Sequence, residues 1–79
     1  MRLDKYLKVS RLIKRRTVAN EACDAGRVLI NDKPAKASAN VKVGDTITIA
    51  FGNKEVKVEV LSVQDVVKKE EAKEMFQYL

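Results

Sequence analysis

The spacing of apolar positions changes period twice along the chain. Leu3, Tyr6 and Leu7, continued by the small Ser10, recur at helical spacing, while Arg2, Lys5 and Lys8 fall on the opposite side. This predicts a short amphipathic helix with an apolar stripe toward a core and a basic stripe outward. The run "RLIKRR" then reads as the helix end and a tight connection. Thr17 is the expected N-cap of a second helix, although the capping-box position holds Asn20, with Glu21 one residue later. Val18, Ala22 and Ala25 would form a narrow face for close approach to the first helix. Gly26 fits the left-handed residue that stops a helix.

Beyond Gly26 the period becomes two. "RVLIND" predicts a short strand running into a turn at Asn31-Asp32, two residues that tolerate positive φ. Val41 and Val43 alternate, and Gly44-Asp45 marks another turn. In "TITIAF", Ile47, Ile49 and Phe51 share one face. Gly52-Asn53 is a favourable two-residue hairpin turn, and Val56, Val58 and Val60 continue the inward face of the next strand. In the tail, Ala72, Met75, Phe76 and Leu79 return to helical spacing. The expected architecture is α+β: two helices, a small antiparallel sheet and a C-terminal helix, in a single domain over residues 1–79.

Composition narrows the class. A chain of 79 residues supports one small core. Cys23 is the single cysteine, so no internal disulfide can form; with no apolar stretch near the start, this suggests a reducing, cytoplasmic setting. The longest apolar runs are too short to cross a membrane. The opening Met leads us to expect a complete small protein. Catalysis has few candidates: there is no His, no second Cys and no phosphate-binding glycine loop, since the three glycines are scattered at 26, 44 and 52. No metal-ligand cluster is visible either. We therefore expect no enzyme, no cofactor and no metal. Cys23 lies between Ala22 and Asp24, and the neighbouring acid disfavours a thiolate, so it reads as a small packed residue.

Charge carries the functional signal. Residues 1–16 hold seven cations (Arg2, Lys5, Lys8, Arg11, Lys14, Arg15 and Arg16) and one anion, Asp4. The other 63 residues hold nine cations and ten anions, so the net +5 lies wholly at one end. Such a focused potential attracts a polyanion. A membrane surface would call for a longer, bulkier apolar face than the first helix can spare from the core. Major-groove DNA reading is disfavoured because the second helix carries Glu21 and Asp24, with no cation between Val18 and Gly26. Structured RNA, gripped by shape and phosphate, fits better.

The stretch "RLDKYLKVSRLIKRRTVANEACDAGRVLIND" resembles the S-four RNA-binding domain, named after a small-subunit ribosomal protein. The likeness rests on the opening Arg-Leu-Asp-Lys, the Arg11–Thr17 connection, the small-residue second helix, the Gly26 stop, and the Val-x-Ile-Asn strand and turn. It covers about residues 1–50, leaving 51–79 as a hairpin strand and the C-terminal helix. In that family the two helices and the following strand-loop, the αL motif, form the RNA surface. The resemblance therefore implies RNA contacts at Arg2, Lys5, Arg11, Lys14, Arg15, Arg16 and Thr17, with Arg27 and Asn31 on the loop edge. Two departures stand out: Asp32 where Gly is common, and Pro34 soon after. No catalytic domain accompanies the motif. The family's small stand-alone members bind large ribosomal subunits that still carry a stalled peptidyl-tRNA, and one kind supports alanine tailing of the nascent chain. The partners so implied are the large ribosomal subunit, its rRNA, peptidyl-tRNA and a nascent-chain tailing factor, met by a monomer. Alternatives are a ribosome assembly factor using the same surface, or a protein–protein module in which the basic patch only steers.

Overall fold

The computed structural model describes all residues 1–79. Two helices, α1 (Leu3–Val9) and α2 (Arg16–Asp24), precede an antiparallel sheet of β1 (Val28–Ile30), β2 (Lys33–Pro34), β3 (Thr46–Phe51) and β4 (Lys54–Val60). A 3-10 turn (Lys69–Glu74) leads into β5 (Phe76–Tyr78), and the spatial order is β2-β1-β3-β4-β5.

Helix α1 buries Leu3, Tyr6, Leu7 and Ser10, as its spacing predicts. Complete burial of each of the three large side chains contributes about 1.5–3 kcal/mol. A helix start leaves orphan N–H groups, and here the 35–41 loop satisfies two of them. The Leu3 and Asp4 amides donate to the Ala39 and Ala37 carbonyls at 2.8 and 3.1 Å. The helix ends where Arg11 adopts φ +64, a left-handed conformation that glycine usually fills.

Helix α2 departs from expectation at its start. It begins at Arg16 with Arg15 as N-cap, and no side chain caps it. Thr17 is therefore a helical residue rather than the cap, because the helix begins two residues earlier. Its buried face also differs: Ala19 and Cys23 enter the core, whereas Val18 is exposed, Ala22 half-buried and Ala25 exposed. The helix stops as expected at Gly26, with φ +76. The Gly26 and Arg27 amides donate to the Cys23 and Ala22 carbonyls, both at 3.0 Å, which completes a Schellman motif.

The Asn31-Asp32 turn forms with positive φ at both residues and joins Ile30 to Lys33. Pro34 lies on the edge strand, where its missing N–H leaves no ladder bond unmade. The predicted hairpin closes at Gly52-Asn53, with Phe51 opposite Lys54. Ile47, Ile49, Val58 and Val60 are buried, while Phe51 at the hairpin end is exposed.

The tail is the clearest correction. Instead of a C-terminal helix, residues 69–74 make a 3-10 turn and residues 76–78 make a fifth strand. Ala72 and Met75 are buried as expected, since a spacing of three satisfies a 3-10 turn equally well. Phe76, by contrast, pairs with Val60, Gln77 with Glu59 and Tyr78 with Val58. The open edge of β4 offers a row of backbone partners that a helix would leave unpaired. Phe76 and Tyr78 pack edge to face, with ring centroids 5.3 Å apart. The Tyr6 hydroxyl donates to the Met75 carbonyl at 2.8 Å, tying the tail to α1. Burial raises the pKa of that phenol to about 12.

Candidate nucleic-acid interface

The interface is organised by a residue that sequence reading passed over. Asp4, in the first turn of α1, is only 2% exposed. Its carboxylate accepts from the Lys5 amide at 2.8 Å, from Asn20 Nδ2 at 3.3 Å and from Arg2 Nε at 3.2 Å. Arg16 Nε lies 3.4 Å from its second oxygen. Burial pushes the Asp4 carboxyl up, but Asn20, Arg16, the Lys5 amide and Arg2 together outweigh it and hold its pKa below the ordinary carboxylate range. Asp4 thus fixes one face of two guanidinium groups from different elements.

Those guanidinium groups are not consumed by the pairing. Arg2 and Arg16 side chains remain 51% and 46% exposed. Each can present further N–H donors in a planar fork that matches phosphate. A shallow hollow of about 410 Å³ opens beside them, lined by Asp4, Arg16, Thr17, Asn20 and Glu21. Thr17 lines the same hollow as Arg16 and caps nothing.

The remaining cations divide by position. Lys5 pairs with Asp65 at 3.3 Å through an exposed contact, which is worth little in water. Lys14 and Arg15 extend from the connection and Arg11 from the end of α1; all three are exposed and make no salt bridge. Arg11 and Lys14 line a groove with Lys8. Arg27 is exposed just after the Gly26 stop. Asn31 is drawn into the sheet: its Oδ1 accepts from the Thr46 amide at 3.0 Å and its Nδ2 donates to Asp45 Oδ1 at 3.2 Å. Neither Arg27 nor Asn31 shares a hydrogen bond or salt bridge with the helical cluster.

Two residues of the arrangement had little sequence signal. Asp4 was visible only as the lone anion among seven cations. Asn20 stood at a capping-box position and instead bonds Asp4 across sixteen residues of chain. Cys23 is buried. Burial, together with the charges of Asp4 and Asp24, raises its pKa to about 11, which keeps it a protonated packing residue.

Two helices joined by a basic connection, a glycine stop and a strand-turn make a small RNA-binding architecture. The chain belongs to the S4 domain family, whose pattern matches residues 1–47. A Bacillus subtilis relative named RQC P-site tRNA stabilizing factor is 58% identical over 79 residues, all of this chain and 92% of that protein. A Streptococcus pneumoniae protein of the same name is 54% identical over the whole chain and 90% of its own length. Among solved structures, the trimeric heat shock protein 15 of Vibrio cholerae superposes with a TM-score of 0.92 at 30% identity, covering 100% of this chain and 81% of that one.

Proposed function

We propose that this protein is a non-enzymatic RNA-binding adaptor of ribosome-associated quality control. It docks on the large ribosomal subunit through rRNA and holds the peptidyl-tRNA of a stalled nascent chain, so that a tailing factor can extend that chain with alanine. The observation that carries the reading is the Asp4-fixed pair Arg2 and Arg16, flanked by the salt-bridge-free Arg11, Lys14 and Arg15 on an otherwise neutral body. The whole-length likeness to factors named for stabilising P-site tRNA supports the tRNA part. The assignment to the cytoplasm follows from the ribosome as partner.

The basic surface is small, so rRNA alone supplies few phosphate contacts. A tRNA within reach of the same surface adds contacts without added protein area. We expect tighter binding to large subunits carrying peptidyl-tRNA than to empty ones; a tenfold preference needs only about 1.4 kcal/mol. Titration of labelled protein against the two particles at one salt concentration tests this. Equal affinities would remove the tRNA-stabilising role and favour action on immature rRNA during assembly.

A further inference from the structure

A second feature of the basic end lies away from the Asp4 pair. The groove of about 470 Å³ between the end of α1, the connection and the 65–67 segment is lined by Lys8, Val9, Arg11, Lys14, Asp65, Val66 and Val67. Three properties set it apart. Lys8, Arg11 and Lys14 form no salt bridge, and the groove's one carboxylate, Asp65, is turned to Lys5. Arg11 is held at φ +64, a backbone conformation that costs a side-chain-bearing residue stability and persists at sites where a side chain must be placed. Val66, on the 65–67 segment that lines the same groove, is 87% exposed, the most exposed large apolar residue of the chain.

Cations from the end of α1 and the connection, with an apolar side chain from the 65–67 segment, complement a ligand with an anionic end and an apolar face. We infer that this groove takes a single unstacked nucleotide of a bound RNA, its phosphate on Lys8, Arg11 and Lys14 and its base against Val66. Stacked duplex buries its base faces, so only a bulged or looped nucleotide can meet the cations and Val66 together. The groove adjoins the basic surface already assigned to RNA, and this continuity favours RNA over an acidic peptide. The inference rests on the RNA-binding reading and adds a preference for irregular RNA to it.

The test compares two RNA hairpins of equal length, one fully paired and one with a single-nucleotide bulge carrying 2-aminopurine. At one salt concentration, we expect the wild type to bind the bulged hairpin at least about fivefold more tightly. The 2-aminopurine fluorescence should rise as the base leaves the stack. Val66→Ser should erase that preference while leaving affinity for the paired hairpin unchanged; the position is exposed, so the change leaves the core intact, and a melting curve checks it. Arg2→Ala should weaken both hairpins by the same factor. Equal wild-type affinities, or a preference that survives Val66→Ser, would overturn the inference while the RNA-binding reading stands. Failure of both hairpins to bind would overturn the inference and the RNA-binding reading together. Val66-dependent binding of a labelled acidic, leucine-containing peptide, without any bulge preference, would overturn the inference in favour of a protein partner.

Discussion

Arg11 shows how a single residue can work against the fold that holds it. Its φ of +64 stands at the position after the α1 cap, where glycine is free of the Cβ penalty. Arg11→Gly is expected to raise stability by up to about 1 kcal/mol, since it removes that penalty, although glycine's greater unfolded-state entropy offsets part of the gain. The same change should weaken RNA binding, because the guanidinium is lost. Thermal melting and filter binding on one preparation check the two opposite signs; a variant that gained both stability and affinity would show that Arg11 serves neither RNA nor fold. Asp4 is the complementary case. Its pKa is lowered in the folded protein, so the stability it contributes is complete above its unfolded-state value of about 3.9 and is lost as pH falls through the lower folded value. Asp4→Asn should destabilise the protein at neutral pH and flatten the acid limb of the stability curve below about pH 4. An acid limb identical to that of the wild type would place the titrating group elsewhere. Because Asp4 keeps several donors, loss of Arg2 or Arg16 alone should cost RNA binding far more than stability.

At the level of elements, legibility followed the range of the interactions involved. The β3–β4 hairpin was readable because alternation runs unbroken on both sides of Gly52-Asn53, and the turn needs nothing distant. The α2 stop was readable for the same reason, since Gly26 and its two Schellman bonds are local. The buried face of α2 was not: a helix of small residues has faces that differ little in apolar character, so Ala19 and Cys23 could not be told from Val18, Ala22 and Ala25 by spacing. The tail was misread because the decisive partner, the open edge of β4, is non-local. Of the site, the cationic cluster was plain in the sequence, but the Asp4–Asn20 bond that orders it spans sixteen residues and leaves no local mark. Tyr6 offers a test of how the tail is held. Tyr6→Phe removes the bond to the Met75 carbonyl, which keeps the Leu61 and Ser62 amides as donors, so the expected cost is that of one hydrogen bond, about 0.5–1.5 kcal/mol. Amide exchange should speed up in residues 69–78 more than in β3. Uniform acceleration across the sheet would mean that the tail opens only with the whole molecule.

For the whole molecule, the separation of charge from core decides how binding responds to its surroundings. The apolar cluster joins α1, α2, the sheet and Met75, whereas the excess positive charge is confined to residues 1–16. Salt therefore screens the partner-facing end while leaving the buried apolar contacts nearly untouched. If three to five phosphates are neutralised, the logarithm of the RNA association constant should fall against the logarithm of salt with a slope of roughly −2 to −4. Titrations of wild type and Arg16→Ala across a salt series check the number and its source. Loss of one phosphate contact should make the Arg16→Ala slope shallower by about 0.7 to 0.9, with the wild-type melting temperature changing little over the same range. A wild-type slope near zero would remove phosphate contact as the main source of affinity. An unchanged slope for Arg16→Ala would instead leave Asp4 as the sole recipient of that guanidinium, and shift the RNA contact to Arg11, Lys14 and Arg15, which no salt bridge holds.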